Sequence, residues 1–104
     1  MSNEMRTISL RTLREFWERH RDAENELRQW YRVARGATWR RFQDVRRVYA
    51  DADMVEAADG AHFLVFNICR NDYRLVVRIR FDYQVMVIRG VMTHREYDRE
   101  KWKD

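Results

Sequence analysis

The sequence predicts an α+β fold: two N-terminal helices packed on a twisted antiparallel sheet, with a short C-terminal helix. Three observations carry that expectation. Apolar residues recur at helical spacing through the first third, and β-branched and aromatic runs fill the last third. The final run is followed by Thr93 and, three positions on, Glu96, the pattern of a helix capping box. At 104 residues, 45% of them hydrophobic and 13% aromatic, the chain can bury one modest core, so residues 1–104 are read as a single domain.

Each element follows from its pattern. "MRTISL", Met5 to Leu10, alternates and predicts a first strand. Leu10, Leu13, Phe16 and Trp17 share one face of a helix, and Leu27, Trp30, Tyr31 and Ala34 share one face of a second, with Gly36 as its C-cap. The polar stretch "HRDAEN" joins the two, and the Arg and Glu residues of their outer faces read as a solvated surface. Thr38 is expected to cap a short third turn through Phe42 and Val45, and "ADADMVEAADG" reads as an acidic loop.

"HFLVFNIC", "YRLVVRIRF" and "YQVMVIRGVM" then read as three strands joined by two-residue turns at Asn71-Asp72 and Asp82-Tyr83. The first hairpin would pair Arg70 with Tyr73, Cys69 with Arg74, Ile68 with Leu75, Phe66 with Val77 and Leu64 with Ile79. The second would pair Ile79 with Met86, Val77 with Ile88 and Arg74 with Val91. One face collects Leu64, Phe66, Ile68, Leu75, Val77, Ile79, Met86 and Ile88 for the core; the other collects Asn67, Arg74, Arg78, Arg80 and Arg89 amid valines. A one-residue slip would bury those arginines, which pins the register.

Charge and composition narrow the function. No apolar run approaches the roughly 20 residues a membrane span needs. "MSNEMRTISLRTL" lacks a signal-peptide core, so a cytoplasmic protein without membrane association is expected. Cys69 is the single cysteine, which excludes an internal disulfide, and His20, His62 and His94 stand at no recognised zinc spacing; no metal or other cofactor is expected. Basic residues outnumber acidic ones 21 to 17, and all but Lys101 and Lys103 are arginines. The planar guanidinium suits phosphate oxygens and stacks on bases, so the balance points toward nucleic acid.

The arginine face and the start of the last helix define a candidate site. Arg74, Arg78, Arg80 and Arg89 on one side of the sheet, beside Asn67, repel one another unless acidic loop residues or an anionic ligand face them. Thr93 as N-cap starts a helix expected to run to about Trp102, with His94 at its first position, Tyr97 one turn on and Asp98 at i+4. A helix N-terminus and nearby arginines disfavour imidazolium, which leaves His94 able to accept a proton. Cleavage of RNA through its 2′-hydroxyl needs a base, a cation on the phosphorane and an acid for the departing oxygen. His94 can be base or acid, Tyr97 its partner or a stacking platform, and Arg74 the phosphate clamp; the sequence leaves the roles of His94 and Tyr97 open. The bland alternative is a histidine and tyrosine that merely cap and pack a helix.

"VFNICRNDYRLVVRIRF", "VIRGVMTHREYD" and the trailing "KWK", with "DADMV" as a weaker anchor, resemble the HigB family of bacterial type II toxins in the RelE/ParE-like group. The resemblance covers the C-terminal half; the N-terminal helices agree in order and length. It implies a RelE-like microdomain and an mRNA interferase that cuts messages presented in the ribosomal A site. A helix-turn-helix antitoxin, HigA, would neutralise it, and operator DNA would be met only through that complex. His94, Tyr97, Arg74, Asn67, Asn71, Thr93 and Asp98 match the family's motif positions, and Arg70, Arg78, Arg80, Arg89 and Lys101 join them as expected RNA contacts. One departure stands out: the family usually has two glycines where this chain has Cys69 and Arg70, so the turn can be shaped differently. Cys69 is read as a small strand residue with no histidine placed to activate it. A ParE-like toxin that poisons a protein such as gyrase, or a non-catalytic RNA-binding module, are the alternatives on the same scaffold.

Overall fold

The computed structural model describes residues 6–99. In chain order the elements are β1 (Arg6–Ile8), α1 (Leu10–Arg19), a 3-10 turn (Arg21–Ala23), α2 (Glu24–Gly36), α3 (Phe42–Val48), β2 (Asp53–Glu56), β3 (His62–Ile68), β4 (Tyr73–Arg80), β5 (Val85–Thr93) and α4 (His94–Asp98). The strands form one sheet in the order β1-β5-β4-β3-β2, antiparallel except for β1, which runs parallel to β5. The α+β class expected from the sequence is the one observed.

The helices form where the apolar stripes predict them. Leu13, Phe16 and Trp17 bury the inner face of α1, and Leu27, Trp30 and Ala34 that of α2. Glu24 opens α2 with its carboxylate on Arg28 at 2.8 Å and Arg21 at 3.3 Å, and it places negative charge at the positive end of the helix dipole. The Arg28 hydrogen bond, opposed in part by burial, holds that carboxyl below its ordinary range. Gly36 does not act as a left-handed C-cap: it is the last helical residue, and the chain leaves through an extended Ala37. Nor does Thr38 cap α3. Arg41 takes the N-cap position, and the Asp44 carboxylate accepts the Arg40 backbone N–H at 3.0 Å.

The acidic stretch expected as a loop contains a strand. Asp53–Glu56 pairs with β3 from Asp53↔Val65 to Glu56↔His62 and forms an edge of the sheet. Edge strands draw on main-chain hydrogen bonds more than on apolar side chains, and charged residues there discourage pairing with other chains, so an acidic sequence serves.

The three central strands keep the expected faces with altered registers. All the residues predicted for the inner face, Leu64 through Ile88, lie in the buried core with the helices. The first hairpin turns through Cys69–Asp72 rather than through two residues, so Ile68 pairs with Tyr73, Asn67 with Arg74 and Leu64 with Val77. That is a shift of two, and an even shift preserves which side chains face inward. The second hairpin matches at Ile79↔Met86 and Val77↔Ile88; a bulge then inserts Arg89, so Arg74 pairs with Met92 instead of Val91.

Phe66 sits at the centre of the core, 1% exposed, with its ring 5.3 Å from that of Trp30, 5.2 Å from Tyr49 and 6.4 Å from Trp39. Phe66→Ala should cost about 3–5 kcal/mol by urea unfolding, from lost burial and the cavity left behind. A cost near zero would show that this aromatic cluster does not hold the layers together.

Candidate active site

The first residue of β4 and the last of β5 pair as Tyr73↔Thr93, which brings the start of α4 against the Cys69–Asp72 turn. The predicted capping box is present. Thr93 Oγ1 accepts the Glu96 N–H at 3.2 Å, and Glu96 Oε1 accepts the Thr93 N–H at 2.9 Å. The turn is built from three successive left-handed residues, Cys69, Arg70 and Asn71, with φ of 54°, 54° and 83°. Its carbonyls then face the site: Asn71 O accepts from Arg74 Nη1 at 2.9 Å, and Asp72 O accepts the His94 N–H at 3.3 Å.

Arg74, His94, Tyr97 and Asp98 converge on this corner. Arg74 Nη2 lies 2.8 Å from His94 Nδ1. A guanidinium can only donate, so Nδ1 must offer its lone pair, and the ring proton belongs on Nε2. Nε2 in turn lies 3.1 Å from Asp98 Oδ2, which completes a chain from guanidinium to imidazole to carboxylate. The Arg74 guanidinium carbon also sits 5.8 Å from the centre of the Tyr97 ring, within range of a cation–π contact. Arg74 is half-buried, whereas the His94 and Asp98 side chains are 57% and 58% exposed and can meet a ligand.

The other expected site residues are more dispersed. Asn67 stands opposite Arg74 but donates to Asp51 Oδ2 at 3.0 Å. Arg70 and Asn71 are exposed on the turn. Arg78 is exposed further along β4, and its side chain makes no hydrogen bond or ion pair among the described residues. Arg80 lies about 20 Å from Arg74 by strand rise. It is held by Asp82 at 2.9 and 3.1 Å and stacked 4.4 Å over the Tyr83 ring. Arg89 is the bulge residue, so alternation no longer fixes its direction, and Lys101 lies outside the described residues. Between the arginines the outer face carries an apolar cluster of Phe63, Val65 and Val76, bordered by Met92 and Tyr97.

Cys69 belongs to the turn, not to a strand, and its thiol is pushed up by burial and by the negative charges of Glu26, Asp22 and Asp72. That is the opposite of an activated nucleophile.

Two features escaped the sequence reading. Asp22 and Glu26 reach the turn from the helical layer: Glu26 Oε2 accepts the Cys69 N–H at 3.1 Å, and the Asp22 carboxylate accepts the Tyr73 hydroxyl at 3.0 Å. Contacts across 43 and 51 residues leave no local signal. A groove of about 370 Å³ between α1 and α2 is lined by Leu10, Trp17 and Tyr31 together with Arg14, Arg28, Arg32 and Arg35. The spacing of Arg28, Tyr31, Arg32 and Arg35 on α2 is the helical i, i+3, i+4, i+7 pattern, a clue that a solvated-surface reading passes over.

Residues 23–100 match the model of the HigB toxin family, described as a RelE-like toxic component of a toxin-antitoxin system. The chain belongs to this family. Among its HigB relatives, the mRNA interferase toxin HigB of Escherichia coli (strain K12) is 31% identical over 99 residues, covering 90% of this chain and 88% of the relative. The mRNA interferase HigB proteins of Escherichia coli O157:H7 and Shigella flexneri match with the same identity and coverage. The region matched by the HigB model begins at the 3-10 turn and takes in Arg74, His94, Tyr97 and Asp98.

The capping box that presents His94 carries a pH signature. The Thr93 backbone N–H, opposed by partial burial, draws the Glu96 carboxyl below its ordinary 4.5. A depressed carboxyl stabilises the fold fully above the unfolded value and loses that contribution as pH falls through the folded one. The stability difference between wild type and Glu96→Gln, from urea melts, should therefore be flat from pH 7 to about 5 and change only in more acid solution. A difference that stays constant to about pH 3 would contradict it.

Proposed function

We propose that residues 1–104 act as a single toxin domain that cleaves mRNA during translation, by acid–base attack of the RNA's own 2′-hydroxyl on the adjacent phosphate. The observation that carries this reading is the 2.8 Å contact between Arg74 and the lone-pair nitrogen of His94, which puts a phosphate clamp and a proton acceptor at one point. A guanidinium bonds more strongly to a charged phosphate than to a neutral imidazole, so substrate draws Arg74 from His94 to the scissile group. His94 Nδ1 is then free to take the 2′-hydroxyl proton, while Asp98 fixes the tautomer and stabilises the resulting imidazolium. Arg74 neutralises the charge that grows on the phosphorane. Tyr97 flanks the clamp, either as a platform for a base or as the acid toward the leaving 5′-oxygen.

The proposed RNA contacts are the exposed Arg70 and Arg78, with Asn67, Asn71, Arg80, Arg89 and Thr93; Lys101, outside the described residues, is proposed with them from the sequence. The arginine-lined groove adds positive potential on the helical side, which favours approach to a polyanion such as the ribosome. A cytoplasmic setting and a HigA-type helix-turn-helix antitoxin complete the proposal; membership of a family of toxin-antitoxin toxic components supports an antitoxin partner, and the relatives' names support mRNA as substrate.

His94→Gln should lower the cleavage rate of translated message by roughly 100-fold or more while ribosome or RNA affinity survives. Primer extension on messages after brief expression reads the cuts, and cleavage at the wild-type rate would sink the proposal in favour of a pure binder or a protein-poisoning toxin.

Salt dependence separates the arginines. Arg78→Ala should reduce the slope of log affinity against log salt by about one unit, the loss of a phosphate contact, whereas Arg80→Ala should change it less because Asp82 already neutralises that side chain. Equal slopes for wild type and Arg78→Ala in RNA-binding titrations would remove Arg78 from the interface.

A further inference from the structure

The turn that carries the site is unusual in what it demands. Three consecutive residues with side chains, Cys69, Arg70 and Asn71, hold left-handed φ values, a region that a Cβ disfavours. Inside the turn, the Asp72 N–H on Cys69 O at 3.0 Å is one closing hydrogen bond and does not by itself select that conformation. The turn's first N–H, on Cys69, points instead to the Glu26 carboxylate at 3.1 Å, and the Cys69 thiol donates to the Asp22 carbonyl at 3.4 Å. Glu26 is placed by the first turn of α2, one helical turn ahead of Trp30, which is 1% exposed and packed on Phe66. A charge-assisted bond from a rigid helix is the kind of tether that keeps a strained turn in place.

What the turn does explains why the tether matters. Two of its carbonyls are the seats of the reactive groups, Asn71 O for Arg74 and Asp72 O for the His94 backbone. We infer that Glu26 is a positioning residue: by accepting the Cys69 N–H it holds the left-handed turn whose carbonyls aim Arg74 and His94 at one another. Its role in turnover rests on the nuclease reading above, whereas its hold on the turn does not. When the tether is lost, the turn relaxes and the two carbonyls rotate away. RNA is still held by the dispersed arginines, so the loss falls on the chemical step.

The test uses the full chain with Glu26→Ala, Glu26→Gln and the double variant Glu26→Ala/Cys69→Gly. Glutamine keeps an acceptor oxygen, and glycine takes left-handed φ without a Cβ penalty. In translation-coupled cleavage assays, Glu26→Ala should lower kcat by about tenfold, with KM changed less than about twofold. Glu26→Gln should stay within about threefold of wild type, and the double variant should recover most of the lost kcat. In the free protein, exchange of the Cys69 amide should accelerate about tenfold in Glu26→Ala, and nitrogen-15 spectra of His94 should lose their clear Nε2–H form. The inference is overturned by a wild-type kcat in Glu26→Ala, by a loss that appears in KM instead, or by a loss that neither glutamine nor glycine reverses. If the wild-type protein cleaves no RNA, the nuclease reading fails, and amide exchange and the imidazole spectra still decide whether Glu26 holds the turn: unchanged values in Glu26→Ala refute it.

Discussion

The sheet has one face against helices, and that single constraint decides where the chemistry can be. Leu75, Val77 and Ile79 on β4 must face Leu13, Phe16 and Trp30, so Arg74, Val76, Arg78 and Arg80 face the other way. A slip by one residue would bury three guanidiniums, each at a cost of several kcal/mol, against a total stability of about 5–15 kcal/mol for a domain of this kind. No arrangement of loops could offset that. The position of Arg74 at the outer corner of β4 is thus a consequence of core packing, and every contact of the candidate site is built outward from it.

This explains which features were legible in the sequence. The inner-face residues were readable because period-two alternation survives an even error: the first hairpin is displaced by two, and no side chain changes face. The convergence of Arg74 and His94 was readable because Thr93 and Glu96 mark a helix start immediately after a strand that must pair with β4. The bulge at Arg89 even tightens it. His94 follows two residues after Met92, the observed partner of Arg74, where the expected pairing with Val91 would have left three.

The rest was hidden for physical reasons. The left-handed turn from Cys69 to Asn71 is not announced locally, because the bonds of the Cys69 N–H and thiol go to Glu26 and Asp22 on the other layer. Strand β2 is an edge held by main-chain pairing, which leaves little trace in side-chain pattern. Gly36 and Thr38 are residues of the right type in places where the backbone had no use for them: the chain leaves α2 extended, and α3 starts after Arg41, with Asp44 accepting the Arg40 N–H.

The outer face also shows how a strand grades its own charge. Arg74, Arg78 and Arg80 share one side of β4, yet their surroundings differ: the first is tied to His94 and the turn, the second has no ion pair among the described residues, and the third is closed off by Asp82 and Tyr83. Alternation alone would predict a uniform positive stripe, and uniform repulsion along it. Neutralising the far end with a local Asp82 removes most of that repulsion at the cost of one two-residue contact. The guanidiniums with no carboxylate partner among the described residues are then Arg74, beside His94, and the exposed Arg78 four residues further along. On the proposed chemistry this gradient is what turns a sheet surface into a directed path. It places the guanidinium tied to the turn and to His94 at the point where a phosphate must be held in register with the imidazole.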